Sequence, residues 1–512
     1  MSDHGSRGGA RPPRSRFRKY WYVWTALGLV VAGIAAWGLV NTFSAPPLCG
    51  DGLTQEGSIC VGLDLNSTAF RHGDQFADLE AKAAAVNDAV TGPKFGTILV
   101  LLDMAPDPRN TSVGILVQRH QIEGAITAVW RADNEAVADG SDPPLKLLFA
   151  NFGDGAVYWQ QAVAAIVAHV GSQHIVAVTG IGQSLDTTRQ AVSALSAAGI
   201  VTVGSVVTAD NMNQWPDGVL TSKFFRVAAT NTDMAKAAVS YLAKKHYSRI
   251  LLVQDRNGGD SYASTLGTAF SAAYSARFHA AVPYAEPYLS PDGPLTGIPR
   301  SQYMVSQFAG MHADICQDKP DLIYFAGRGT DLAAFLTALS QGGACGLGPV
   351  DVLSGDDAST LAGSPLPNFG ALQVNVFYTS EAAGNEWTGC PACSDEVQNY
   401  QKFEEAFVRN GFPPADLADG QASMGHDAVL AAATAARLDP DATSDPSTMA
   451  APFLRFSCRQ PIPGASGDIA FDSAGNPKDK AMPIMRVKPD GSVVQQDLAW
   501  ATGQPFAPAN CR

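Results

Sequence analysis

Charge is scarce in this chain. Asp, Glu, Lys and Arg make up 16% of its 512 residues, against 46% hydrophobic. That balance excludes a largely disordered polypeptide, which needs high charge and little apolar surface. A basic patch is missing too. Over residues 44–512, 29 basic side chains face 47 acidic ones, a net −18, so nucleic acid is not an expected partner. The nine histidines are scattered, with no His-Glu-x-x-His pair and no cluster at zinc spacing; neither a metal nor a cofactor is expected. No Gly-x-Ser-x-Gly elbow occurs. "GGDSYAS" (258–264) has a serine but no identifiable histidine partner, and the chain does not read as an enzyme. No cysteine precedes residue 49.

What is present begins with topology. Residues 1–19 carry Arg7, Arg11, Arg14, Arg16, Arg18 and Lys19 against Asp3, and residues 20–43 then run 24 positions without a charge. About 20 apolar residues span a bilayer core, and positive charge stays on the cytoplasmic side. Tyr20, Trp21, Tyr22 and Trp24 form an aromatic belt at one interface, with Trp37 near the other. A cleaved signal peptide is the alternative, but its apolar core is usually shorter and ends in a small-x-small site. Here "FSA" (43–45) has a bulky Phe and is followed by Pro46-Pro47. The reading is a basic cytoplasmic tail (1–19), a retained single-pass anchor (20–43) and an extracytoplasmic body. Either alternative places 44–512 outside the cytoplasm, and the retained anchor holds it at the cell membrane.

Eight cysteines, all in the exported part, imply disulfides. Spacing alone leaves the connectivity open; local pairing predicts Cys49–Cys60, Cys316–Cys345, Cys390–Cys393 and Cys458–Cys511. "CPAC" (390–393) before a helix has the form of a redox motif, yet its polar turn surroundings suit a structural loop disulfide better. The Gly-rich segment around Cys49 and Cys60, then "FADLEAKAAAVNDAV", reads as a disulfide-closed collar over 44–96.

From Thr97 apolar runs alternate with amphipathic stretches. Strand-like runs fall at 97–104, 145–152, 174–180, 199–205, 249–255, 321–327, 350–356 and 370–378. Helix-like segments such as "TTRQAVSALSAAG" and "GTDLAAFLTALSQGG" lie between them. Doubly buried strands alternating with helices imply parallel βαβ units and an α/β fold. The Pro/Gly/Ser-rich region 283–303 reads as an exposed loop. Residues 176–186, "VAVTGIGQSLD", form a strand, a Gly-rich turn and a helix start, the shape of an anion-receiving turn. Leu185 stands at the third glycine position of a dinucleotide fingerprint, and no acid ends the next strand, so a nucleotide is not the expected occupant.

Several blocks together resemble the type I periplasmic-binding-protein family, the branched-chain amino-acid-binding and receptor-ligand-binding group. "GASGDIAFDSAGNP" (464–477) is similar to that family's lobe-crossing strand and tight turn. Residues 178–210, 224–255, "PDLIYFAGRGTDLAAFLTALSQGG" and "GHDAVLAAATAA" (425–436) follow in the family's order, and the resemblance covers about 97–490. More narrowly, the anchor, the cysteine collar and "FAGR" resemble actinobacterial membrane-anchored substrate-binding proteins of ABC transporters.

The resemblance implies a two-lobed fold with a ligand-holding cleft. Lobe 1 comprises 97–225 and 381–462, lobe 2 comprises 226–380 and 463–500, and 501–512 is a tail. It also implies site residues: Ser184 to receive a ligand carboxylate, Val207 and Thr208 to complete that anion site, Tyr262 to cover the ligand, and Asp356 to receive an ammonium group. Two departures stand out. Arg328 occupies a position where amino-acid binders often carry an aromatic, and Asn110 and Thr111 stand where the first-lobe aromatic is expected. If Arg328 faces the cleft, the ligand carries an additional acidic or polar group; the other expectation for it is a surface or inter-lobe ion pair. The expected function is a membrane-tethered binder of a small polar, amino-acid-like solute that serves an ABC permease. The alternative is a sensor or receptor ectodomain of the same fold.

Overall fold

The computed structural model describes residues 49–503 apart from 66–69, 71–74, 108–113, 216, 292–294, 385, 389 and 440. The expected anchor at 20–43, together with Asn110, Thr111 and Cys511, lies outside the described residues. Among the described residues no helix is long and apolar enough to cross a membrane.

Two seven-stranded sheets organise the chain. The first contains β1 (Leu53–Glu56), β2 (Ile59–Leu63), β3 (Gly96–Leu102), β4 (Leu145–Asn151), β5 (Ile175–Gly180), β6 (Thr202–Gly204) and β7 (Phe224–Arg226), in the order β1-β2-β4-β3-β5-β6-β7. From β4 to β7 every neighbouring pair is parallel; β1 and β2 join antiparallel. The second contains β8 (Ile250–Asp255), β9 (Tyr284–Tyr288), β10 (Leu322–Ala326), β11 (Val350–Ser354) and β12 (Val374–Thr379), all parallel. A small hairpin, β13 (Ile462–Gly464) and β14 (Gly467–Ile469), leads to β15 (Ala481–Val487) and β16 (Val493–Trp500), which add antiparallel beside β12. All seven residues of β3 and all six of β5 and β8 are buried, as strands covered on both faces require.

Each of the eight expected strands is present. The segment read as a separate collar is instead built into the first sheet: β1 and β2 extend its edge, and the Cys49–Cys60 disulfide closes their hairpin. Cys316–Cys345 and Cys390–Cys393 are also formed, and Cys458 is disulfide-bonded. The region read as an exposed loop opens with β9, an edge strand that tolerates Pro287 because its outer N–H groups have no ladder partner.

Helices α1 (Ala77–Asp88), α2 (Ile115–Glu135), α3 (Trp159–His169) and α4 (Asp186–Ala197) accompany the first sheet. Those following β7, α5 (Asn231–Leu242), α6 (Ser261–Phe278), α7 (Arg300–Ala309), α8 (His312–Asp318) and α9 (Gly329–Gly342), accompany the second. The chain then returns with α10 (Ser394–Arg409) and α11 (Gln421–Leu438). Alanine-rich α11 is buried from Gln421 through Ala436, and it lies directly against α2. Glycine permits that approach: a Cβ on Gly124 would sit 1.9 Å from the Ala422 carbonyl oxygen, and one on Gly425 would sit 2.1 Å from that of Gln121.

Three connections pass between the lobes, and they are bonded to one another. Arg226, fully buried at the first, donates to Asn476 Oδ1 at the third through Nε (2.9 Å) and Nη2 (2.7 Å). Its Nη1 donates to the carbonyls of Val207 (3.0 Å) and Ala209 (2.6 Å). At the second connection, the Glu381 carboxylate accepts the Ala229 N–H (2.5 Å). Asp427 of α11 accepts from Ala465 N, Ser466 N and Ser466 Oγ, which anchors the block preceding the third.

Candidate functional site

A cleft opens between the lobes. The loops that line it follow the C-terminal ends of parallel strands, where α/β sheets hold ligands. In the first lobe β3 ends in Leu102 and leads to Asp103, β4 leads to Phe152 and Gly153, and β5 leads to Gly182, Gln183 and Leu185. Gln118 and Gln121 face the cleft from α2. The second lobe supplies Tyr262 from α6, Arg328 ahead of α9, and Asp356 and Asp357 after β11. Gly182 shapes the first wall: its φ is +63°, and a Cβ there would meet the Phe152 ring at 2.7 Å. Only glycine lets that ring lie over the turn.

Of the six residues named from sequence, Tyr262, Arg328 and Asp356 line this cleft. Ser184, Val207 and Thr208 are buried beside it and are not among the lining residues. The Ser184 hydroxyl accepts the Ala209 N–H (3.2 Å), while its carbonyl accepts from Tyr262 N (3.0 Å) and Arg328 Nη2 (3.2 Å). Two residues on, Asp186 N donates to the Gly259 carbonyl of the second lobe (3.2 Å). The Gly-rich turn is thus an inter-lobe clasp, and part of its helix terminus is already satisfied by protein. Val207 gives its carbonyl to Arg226 and Thr208 gives its own to Asn231 N; Val206, one position earlier, reaches the cleft.

Arg328 is 3% exposed and forked onto Asp260, with Nε–Oδ2 at 2.7 Å and Nη2–Oδ1 at 2.9 Å. Asp357 Oδ1 lies 3.9 Å from Nη1, and the guanidinium sits 4.8 Å from the centre of the Tyr262 ring. Its charge is therefore largely matched before any ligand arrives. The unmatched groups are acceptors: Asp103 Oδ2, Asp356 Oδ1 and Gln118 Oε1 are buried, without a hydrogen-bond partner among the described residues. Burial pushes Asp103 up to about 7, with nearby Asp154 adding to the shift. Asp356 is raised well above the ordinary carboxylate range by burial, then by Glu381 and Asp357.

Sequence reasoning missed Asp103, Phe152 and Gln118. Asp356 came from the family resemblance; an acid just past a buried apolar run is the local signal it shares with "LVLLD" (99–103). Phe152, reached from β4, supplies a first-lobe aromatic from a different loop than expected.

The raised carboxyls have a consequence for stability. Burial lifts Asp154 to about 6, Glu381 to about 7 and Glu386 to about 8. A carboxyl with a higher pKa folded than unfolded holds more protons in the folded state, so stability falls as pH rises through that window. The raised pKa of His120 acts in the same direction, and the lowered pKa of His426 opposes it. Without ligand, the thermal midpoint should be several degrees higher near pH 5.5 than near pH 8.5; a midpoint that rises over that interval contradicts these assignments.

A mixed α/β chain with two parallel-rich sheets, joined by three connections across a cleft, has the fold of the type I periplasmic binding proteins. No protein-family model matches the chain, and no curated protein does. Among solved structures, it is similar to an ABC transporter substrate-binding protein of Desulfitobacterium hafniense in complex with Leu, at 21% identity and TM-score 0.56, covering 79% of this chain and 100% of that one. A leucine-binding protein of Thermotoga maritima shares 18% identity at TM-score 0.55, covering 79% and 98%. A solute-binding protein of Rhodopseudomonas palustris, in complex with p-hydroxybenzoic acid, shares 14% at TM-score 0.59, covering 80% and 98%. These neighbours are substrate-binding proteins of ABC transporters, and at such identities the likeness is one of fold.

Proposed function

We propose that this chain is a membrane-tethered, extracytoplasmic solute-binding protein that closes two lobes over a small ligand bearing an ammonium or comparable donor group, for delivery to an ABC-type permease. The observation that carries the reading is the set of orphaned acceptors in one cleft, Asp103 Oδ2, Asp356 Oδ1 and Gln118 Oε1. Buried acceptors left without partners are costly, and a ligand that donates to them recovers that cost. Leu102, Val117, Phe152 and Leu185 give the same cleft an apolar wall, which suits a ligand with a compact hydrocarbon part. The tether rests on the charge-free run at 20–43 behind its basic tail. The solutes bound by the neighbours, leucine and a hydroxybenzoate, set the size class.

The test is a thermal-shift screen of the full chain in detergent against amino acids, small peptides, sugars, nucleosides and aromatic acids. An amine-bearing solute at 100 times its Kd adds about 2.7 kcal/mol to stability. Asp356→Asn should abolish that shift while the protein without ligand remains folded. An equal shift in the variant rules out this cleft as the site, and stabilisation only by aromatic acids rules out the ammonium assignment.

A further inference from the structure

Away from the cleft-facing side of α2, the first lobe gathers a second set of polar groups that solute binding does not use. His120 and Glu123 stand three residues apart on α2, and the turn 414–419 ahead of α11 brings Asp416 and Asp419 against them. One ring nitrogen of His120 and one carboxylate oxygen each of Glu123 and Asp416 lie within 4.8 Å of one another. His120 Nε2 and Asp416 Oδ1 are 3.7 Å apart. That is too long for a hydrogen bond, but near the roughly 3.4 Å that separates two tetrahedral ligands with bonds of about 2.1 Å.

Two further observations point to an occupant. Glu123 is 1% exposed, and its Oε2 has no hydrogen-bond partner among the described residues. His120 Nδ1 is 2.6 Å from Asp419 Oδ2, which fixes the ring and leaves Nε2 directed at Asp416. A carboxylate behind the far nitrogen is the arrangement that orients metal-binding histidines. Arg119 is not the missing partner: its Nε reaches Glu123 Oε1 at 3.1 Å, and its two Nη groups are committed to Asp78. Arg119 and Asp78 offset one another, so the Glu123 and Asp416 carboxylates match the charge of a divalent ion, with Asp419 as one further negative charge behind His120. Asp416, whose side chain is 24% exposed, leaves a path from solvent.

We propose that His120 Nε2, Glu123 Oε2 and an Asp416 carboxylate oxygen bind one divalent transition cation of the zinc type, with Asp419 as the positioning residue behind His120. Mixed imidazole and carboxylate ligands favour such an ion over Mg²⁺ or Ca²⁺, which take oxygen shells. The ion would clamp α2 to the turn that starts α11. Both helices reach the cleft through the Gln121–Gln421 hydrogen bond (3.2 Å), so the clamp would stiffen the first-lobe wall without touching the solute.

The full chain, untagged in detergent, stripped with EDTA and then reloaded with Zn²⁺, should retain one Zn²⁺ per chain after dialysis, and the thermal midpoint of the stripped chain should rise with added Zn²⁺ but not with Mg²⁺ or Ca²⁺. Glu123→Gln and Asp416→Asn should each weaken Zn²⁺ binding at least tenfold by calorimetry, and Asp419→Asn by about 10–100-fold. Asp416, partly exposed, keeps the test readable if the Glu123 variant misfolds. Substoichiometric zinc, unchanged affinity in the Asp416 variant, or a response to Ca²⁺ but not to Zn²⁺ would overturn the assignment.

Discussion

Arg328→Met is expected to separate closing from folding, with large effects on both. In the closed cleft Arg328 gives a charged hydrogen bond to the Ser184 carbonyl of the opposite lobe (3.2 Å). Hydrogen bonds of this kind contribute about 1.5–3 kcal/mol, so losing it should weaken solute binding by about 10–100-fold. The same change strands Asp260, which Arg328 holds by two bonds, beside Asp357. Removing one partner of a buried ion pair costs about 3–5 kcal/mol. The stranded carboxyls should then take up protons more readily when folded, so the gap to the parent protein should narrow as pH falls. Thermal midpoints of both proteins between pH 5 and 8 measure this. A constant gap would mean that Asp260 finds another cation.

Arg226→Met should be the more damaging change to the fold itself. The guanidinium has no contact with solvent and makes four hydrogen bonds that join the first connection to the third and to the loop after β6. Burial pushes it down to about 10, with Asp210 and Glu381 opposing that shift, so it carries its charge at physiological pH. Methionine fills much of the volume but leaves Asn476 Oδ1 and the Val207 carbonyl unsatisfied, at about 1–3 kcal/mol each, while the Ala209 carbonyl keeps only the Met212 N–H. The expected result is a loss of at least about 3 kcal/mol in denaturant unfolding, or recovery of the chain only as aggregate. A variant of parental stability would show that these connections are held by packing alone.

The two arginines illustrate how differently a sequence exposes its parts. Arg328 follows a buried strand and precedes a helix, so its place at a strand end was legible, while cleft and surface both stayed open for its side chain. Its partner Asp260 was not legible, because nothing local joins residues so far apart. "FAG" and "VLSG" marked strand ends for the same reason that "LVLLD" could have marked Asp103: apolar runs stop where the sheet meets polar space. Ser184 shows the limit of that logic. A Gly-rich turn before a helix announces free amides, but whether a ligand or the other lobe receives them depends on how the lobes meet.

By itself, the sequence determined the α/β alternation and the eight central strands, which rest on local periodicity that a linear pattern records; the two lobes and the crossing block at 464–477 came from the family resemblance, and the cysteine pairs from an expectation of local pairing. The tertiary structure alone decided the incorporation of β1 and β2 into the first sheet, the pairing of Arg328 with Asp260, the orphaned acceptors of the cleft, and the meeting of His120 and Glu123 with Asp416. Each depends on contacts between distant segments, and burial, not residue type, determines which polar groups are left without partners.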